Sequence, residues 1–249
     1  MNPTKQTSSI PAREVGPWDG SALAKVREWD PIWVDQCLKF SDSPWTGNIL
    51  PRKDVELISI AVNAACTNLS EGGTRRHVRA ALEAGATREE ILMILKIASL
   101  LSIHTCSLGA PVLLEEAKAA GVKPGPKERA ATPVCDKMKA AGQWNTGWDE
   151  FFEIDPVWTE AIIAASLPVY TSGILSPKLA EFLSIAVDAS ITHMYAPGTR
   201  RHIQTALKLG ATVEEIMEVL KICVSSGMQA CNLGVPILAE ELERIAKEA

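Results

Sequence analysis

The sequence lacks the features that would place it among nucleic-acid-binding, membrane or secreted proteins. Only 5% of its 249 residues are aromatic, and 25 basic and 30 acidic residues give a net charge of −5 without a long run of either sign. This balance argues against a nucleic-acid surface and against an anionic membrane partner. Lys96, His104 and Glu115 interrupt the most hydrophobic stretch before it reaches the ~18–20 apolar residues that cross a bilayer. Residues 1–9 have no apolar core of the kind a secretory signal requires, so we expect a soluble, cytoplasmic protein.

What the sequence does contain is a long internal repeat. Gly73-Thr74-Arg75-Arg76-His77 recurs 125 residues later as Gly198-Thr199-Arg200-Arg201-His202. Glu56 and Cys106 recur at the same offset as Glu181 and Cys231, and no gap is needed between them. A repeat of this length predicts a duplicated domain, because it is too long for a solenoid unit. We expect a flexible lead-in at 1–20, a first domain at 21–122, a linker at 123–143 and a second domain at 144–249.

Within each copy the apolar residues follow a helical period. The segment from Asp54 to Ala65 has the i, i+3, i+4, i+7 spacing of an amphipathic helix. Several residues mark helix ends in both copies. They are caps at Thr74 and Thr199, terminal glycines at Gly85 and Gly210, and capping boxes at Thr87–Glu90 and Thr212–Glu215. A further helix is expected after Pro111 and after Pro236. No segment alternates at period two. The sequence therefore predicts an all-α fold built from two tandem copies of one helical domain.

The repeated Gly-Thr-Arg-Arg-His segment is the main candidate site. If Thr74 caps a helix, Arg75, Arg76 and His77 lie in its first turn, where the helix dipole disfavours cations unless an anion is present. That anion is Glu56, a substrate carboxylate or a group of a partner subunit. The same helix dipole would tend to keep His77 neutral, and a neutral imidazole suits proton transfer. The same reasoning applies to the second copy, through Glu181, Arg200, Arg201 and His202. The alternative is structural: a solvated arginine, an ion pair, a core histidine and a glutamate at a helix start.

Cysteine and histidine spacing gives little support for redox or metal chemistry. Cys106 and Cys231 match across the copies, but no Cys-x-x-Cys pair occurs, so a small buried hydrophobe competes with a redox role. His104 aligns with Gln229 and His193 aligns with Asn68, so repeated histidines do not build a metal site. Zinc-type spacing is absent as well. We expect no metal and no cofactor.

The run from Glu56 through the Gly-Thr-Arg-Arg-His segment to Gly85-Ala86-Thr87-x-Glu89-Glu90-Ile91 resembles the core of the carboxymuconolactone decarboxylase and AhpD-like alkylhydroperoxidase superfamily. The resemblance implies an all-helical fold and one of two activities. The peroxidase branch uses a Cys-x-x-Cys pair shortly before the histidine. Here the preceding residues, 69–73 and 195–198, contain no cysteine.

The resemblance therefore favours a cofactor-free carboxy-lyase that acts on a small carboxylated lactone or cyclic acid in aromatic-compound catabolism. In that role Arg75 or Arg76 would bind the carboxylate of a small anionic organic substrate, His77 would donate a proton and Glu56 would orient it. Arg200, Arg201, His202 and Glu181 would do the same in the second copy. Two alternatives stay open: a thiol-dependent hydroperoxidase that uses Cys106 or Cys231, and a non-catalytic oligomeric binding protein. Family members commonly form hexameric rings of single domains, so a tandem chain is expected to form a trimer.

Overall fold

The computed structural model describes residues 16–123, 125 and 131–249. These residues form helices and connecting turns, with no β-strand among them, so the predicted all-α class is confirmed. The helices of the first repeat are α1 (Gly20–Trp29), α2 (Pro31–Ser41), α3 (Ser43–Thr46), α4 (Arg52–Ala64), α5 (Glu71–Glu83), α6 (Arg88–Leu100) and α7 (His104–Ala119). Those that follow are α8 (Pro133–Ala140), α9 (Asp149–Ile154), α10 (Pro156–Thr171), α11 (Pro177–Ala189), α12 (Ala196–Lys208), α13 (Val213–Ser225) and α14 (Gln229–Glu248).

The duplication is visible in the helices themselves. Helices α4, α5, α6 and α7 begin 125 residues before α11, α12, α13 and α14. The capping boxes predicted at Thr87–Glu90 and Thr212–Glu215 are both present and start α6 and α13. Gly85 and Gly210, with φ of 88° and 83°, follow the ends of α5 and α12 as predicted. A left-handed conformation is one that glycine adopts without steric cost.

The predicted starts of α5 and α12 are wrong. Helix α5 begins at Glu71, where the Ser70 hydroxyl accepts a hydrogen bond from the Gly73 N–H at 3.2 Å, and α12 begins at Ala196. Arg76 and His77 therefore lie in the second turn of α5, and Glu71 occupies the first. The dipole of the helix end does not explain the chemistry of the motif, because its effect is confined to the first turn.

The centre of the molecule is a pair of helices, α4 and α11, which contact each other. Every residue from Val55 to Asn63 in α4 is buried, as is every residue from Leu179 to Asp188 in α11. A helix buried on all sides is expected to be apolar all round. The polar residues of these helices, which include Glu56, Asn63 and their counterparts, therefore need a specific partner.

The two repeats exchange their outer helices. α1 and α2 of the first repeat pack against α14 and α13 of the second, and α9 and α10 of the second pack against α7 and α6 of the first. One hydrophobic core therefore draws side chains from both copies, with Leu57 and Ile58 beside Phe182 and Leu183. Burial of each such side chain stabilises the fold by ~1.5–3 kcal/mol.

The segments that flank the first repeat are partly packed. Residues 1–15 of the predicted lead-in lie outside the described residues, whereas Gly16 to Trp18 are buried and α1 starts at Gly20. Positions 124 and 126–130 of the predicted linker also lie outside the described part, and α8 occupies much of the rest of 123–143.

The last helices of each repeat are longer than the sequence pattern suggests. Pro111 and Pro236 lie inside α7 and α14 and do not precede them, which corrects that prediction. The stretches Arg88–Ala119 and Val213–Glu248 are long and apolar enough to cross a bilayer by length and composition. The first stretch contains Lys96, His104 and Glu115, the residues that were expected to interrupt it. The core helix of a soluble protein passes the same test, and Ile91, Ile94 and Ile97 of α6 are buried in the core.

Candidate active sites in the two repeats

A buried carboxylate and an imidazole form the centre of the first site. Glu56 of α4 and His77 of α5 are 1% and 2% exposed, and Glu56 Oε2 lies 2.6 Å from His77 Nδ1. The other oxygen, Oε1, accepts a bond from Arg52 Nε at 2.7 Å. Because an ionised carboxylate can only accept, His77 donates through Nδ1–H. The Nε2 atom is then left for proton transfer.

The second site repeats this pair and changes its surroundings. Glu181 Oε2 of α11 lies 2.6 Å from His202 Nδ1 of α12. Pro177 stands where the first repeat has Arg52, and Arg201 Nη2 lies 3.0 Å from His202 Nε2. Burial lowers the pKa of His202; the bond to Glu181 opposes that shift and the Arg201 charge adds to it. His202 therefore presents an Nε2 that carries no proton at neutral pH and accepts a bond from the guanidinium.

The four predicted arginines divide into two kinds. Arg75 and Arg200 are exposed at the surface, and Arg75 pairs with Glu71 at 2.6 Å. Arg76 is buried, and its Nη2 donates to the Pro17 carbonyl oxygen at 2.9 Å. Arg201 therefore contacts His202, and Arg76 contacts the segment before α1. Arg75 and Arg200 lie outside both sites.

The glycines of the repeated motif, Gly73 and Gly198, allow α5 to approach α4 closely and α12 to approach α11. A Cβ atom at Gly73 would overlap Asn63 Oδ1, and one at Gly198 would overlap Asp188 Oδ2. Asn63 and Asp188 occupy equivalent positions on α4 and α11, seven residues after the glutamates and hence on the same helix face. Each site is therefore bounded by a buried glutamate at one end and a buried amide or carboxylate at the other.

Each site also receives a side chain from the opposite repeat. His104, at the start of α7, lies with its Nδ1 3.4 Å from Asp188 Oδ1 and 2.8 Å from His193 Nε2. The ring of Tyr195 stacks on His104 with 3.9 Å between centroids. In the first site the equivalent position is Gln229, whose Oε1 lies 3.4 Å from Ser70 Oγ.

Burial controls the charges of this second cluster. Burial raises the pKa of the Asp188 carboxyl to about 7, although the Arg201 charge opposes that shift. Burial, the neighbouring His193 and the Arg201 charge lower the pKa of His104 to about 3. Burial also lowers the pKa of His193. Both imidazoles are therefore neutral at pH 7.

Sequence reasoning missed Asn63, Asp188, His104 and His193. Neither histidine is repeated, and the two meet because the repeats exchange helices. Asn63 and Asp188 did leave a signal, since each is a polar residue on an otherwise buried helix.

The two repeated cysteines lie apart from the histidine pairs. Cys106 packs against a smaller apolar cluster that includes Ile103 and Phe151, and burial raises the pKa of the Cys231 thiol. Within the described residues, no hydrogen bond joins Cys106 or Cys231 to His77 or His202.

Comparison with known proteins identifies the family. The model of the carboxymuconolactone decarboxylase family matches residues 35–103 and 156–238, one segment in each repeat. The chain belongs to the carboxymuconolactone decarboxylase family. A crystal structure of a "putative gamma-carboxymuconolactone decarboxylase subunit" from Burkholderia xenovorans LB400 matches with a TM-score of 0.82 and 38% identity, over 90% of this chain and 91% of that one. No curated protein matches the sequence.

Family membership confirms the resemblance and the tandem arrangement. Both matched segments contain the complete glutamate–histidine pair of their repeat, Glu56 with His77 and Glu181 with His202. The non-repeated histidine His104 lies one residue beyond the first matched segment.

Proposed function

We propose that the protein is a carboxy-lyase of the carboxymuconolactone decarboxylase type, which acts on a small carboxylated lactone or related cyclic acid from aromatic-compound breakdown. The observation that carries this proposal is the buried glutamate–histidine pair, which occurs in both repeats of a member of this family. We place the activity in the cytoplasm as part of the same proposal.

The pair and its arginine supply what such a decarboxylation needs. The bond to the substrate carboxylate breaks, carbon dioxide leaves, and the electron pair moves onto the lactone carbonyl oxygen as an enolate. A guanidinium stabilises this developing negative charge. The imidazole takes up a proton from solvent at Nε2 and delivers it to the carbon that lost carbon dioxide, while the glutamate stabilises the imidazolium. These reaction steps use no thiol, oxidant or cofactor.

The arginine is better placed in the second repeat. Arg201 Nη2 lies 3.0 Å from His202 Nε2, so a carboxylate bound to the guanidinium would lie beside the proton donor. Arg76 donates to the Pro17 carbonyl, so its guanidinium is partly occupied by the chain itself. We therefore expect the second site to bind an anionic substrate more tightly than the first.

The experiment is a turnover assay with a panel of carboxylated muconolactones. Carbon dioxide release is measured in the absence of added thiol. We expect release from at least one member of the panel. Absence of release from every member would count against the lyase and in favour of a non-catalytic binding protein.

A thiol-dependent peroxidase is the alternative activity, and the structure gives it less support. Burial raises the pKa of the Cys231 thiol and so disfavours the thiolate, which is the reactive form. The double variant Cys106→Ser, Cys231→Ser should keep the decarboxylase activity. Peroxide consumption that disappears in this variant would support the alternative.

We also propose that three chains form a ring of six repeats. Apolar side chains are exposed at equivalent places in both repeats, among them Leu69 with Met194 and Leu82 with Leu207. Leu69 and Leu82 line a surface groove of about 750 Å³ along α5. Exposed apolar patches of this kind mark interaction surfaces. A light-scattering mass that differs from three times 26.9 kDa would exclude the trimer.

A further inference from the structure

The second site contains a group of side chains that the decarboxylation does not use. Ligand atoms of His104, Asp188 and His193 all lie within 4.8 Å of one another. The two closest separations are 2.8 Å between His104 Nδ1 and His193 Nε2, and 3.4 Å between His104 Nδ1 and Asp188 Oδ1. Metal–ligand bonds of about 2.0–2.2 Å at angles of 90–110° place neighbouring ligand atoms about 3 Å apart. These two separations therefore suit a shared ion, and the third pair, His193 with Asp188, lies within 4.8 Å.

Asp188 gives an independent reason to expect a cation. Its side chain is 0% exposed, and neither of its oxygens has a hydrogen-bond partner among the described residues. An ionised carboxylate that is buried without a donor costs several kcal/mol, which either a proton or a bound cation relieves. His104 and His202 lie 3.4 and 3.9 Å from its two oxygens, too far for the short bonds that would satisfy them.

We propose that His104, Asp188 and His193 bind one divalent transition-metal ion such as Zn²⁺. Two imidazoles and one carboxylate are a ligand set that such ions prefer, and three protein ligands leave a coordination position open. The stacked Tyr195 ring fixes the orientation of His104. His193 is only partly buried, so the ion has a path from solvent.

Comparison of the two sites supports this assignment. The first site has Asn63, Asn68 and Gln229 in place of Asp188, His193 and His104, so it has amides where the second site has ligands.

The test is a metal titration of the full chain without an affinity tag. Protein stripped with a chelator is titrated with Zn²⁺ by calorimetry and with Co²⁺ by absorption spectroscopy. We expect one equivalent per chain, with Co²⁺ giving visible d–d bands and no thiolate charge-transfer band. Each of Asp188→Asn, His193→Asn and His104→Gln should lower the affinity at least ~10-fold, since even the loss of an outer-shell partner costs that much.

The variants are chosen so that folding does not obscure the result. Each introduces the residue that the first site already has at the equivalent place, and circular dichroism checks the helical content. His77→Asn removes a buried histidine of the first site and should leave the affinity unchanged. Absence of stoichiometric binding would overturn the proposal, as would binding that all three substitutions leave intact or that shows a thiolate band. These readouts do not depend on decarboxylase activity, so the metal site and the proposed function can fail separately.

Discussion

The buried carboxylate of Glu56 holds the imidazole of His77, with 2.6 Å between Oε2 and Nδ1, and Glu181 holds His202 at the same distance. A glutamine can keep the imidazole in place through its amide oxygen, but it does not stabilise an imidazolium. We expect Glu56→Gln combined with Glu181→Gln to lower kcat for decarboxylation by about 10²–10⁴-fold, the usual contribution of a positioned acid, with a smaller change in KM. Steady-state kinetics on the active lactone measures both parameters.

The matched control for this pair is Glu28→Gln. Glu28 is exposed on α1 and pairs with Lys25 at 2.9 Å, so its charge is far less costly to remove. Unchanged kinetics in Glu28→Gln together with unchanged kinetics in the double variant would show that the glutamates do not assist the histidines.

The glycine of the repeated motif gives a prediction about stability. A methyl group at Gly73 would overlap Asn63, and one at Gly198 would overlap Asp188. Overpacking of this kind costs about 1–3 kcal/mol. Gly73→Ala and Gly198→Ala should therefore each lower the free energy of unfolding by about that amount, measured by urea denaturation.

The neighbouring glycine provides the comparison. A Cβ atom at Gly72 meets only Arg76 Nη1, at the ordinary contact distance of 3.7 Å. Gly72→Ala should be neutral or stabilise the protein by up to ~1 kcal/mol, because alanine favours the helix. Equal losses in Gly72→Ala and Gly73→Ala would refute the close-packing explanation.

The partly buried carboxyl group of Asp42 is expected to make the stability of the protein depend on pH. Burial raises the pKa of this carboxyl from 3.8 to about 6, against the opposing bond from Ser41. The folded state therefore binds more protons than the unfolded state between about pH 4 and 6, and stability falls as pH rises through this range. Asp42→Asn removes this loss, so the variant should be more stable than the parent at pH 7, by on the order of 1 kcal/mol after solvent screening, and similar near pH 4. A stability difference that stays constant from pH 4 to 7 would contradict the assignment.

The helix ends could be predicted from the sequence because their signals are local. Capping boxes at Thr87 and Thr212 and glycines at Gly85 and Gly210 fix helix ends through contacts within a few residues. The start of α5 differs from the prediction because the Ser70 hydroxyl, and not that of Thr74, accepts the hydrogen bond from the Gly73 N–H.

The full set of side chains in each site could not be predicted from the sequence, because it depends on how the two repeats pack together. Residue type and the family resemblance together predict Glu56 as a partner of His77, and the structure brings those side chains together. The meeting of His104 with Asp188 depends on α7 crossing to the other repeat, which no local pattern encodes. Arg75 and Arg76 are adjacent and identical in type, so only the packing of α5 against its neighbours decides which one faces inward.

The most direct test of the proposed lyase compares carbon dioxide release by the parent protein, His77→Asn, His202→Asn and the double variant. Because each repeat has its own pair, each single variant should keep part of the activity, and His202→Asn should lose more, since Arg201 accompanies that histidine. The double variant should lose at least ~100-fold in kcat/KM, with its helical circular dichroism intact. Full activity in the folded double variant would contradict the proposal that these histidines carry the reaction.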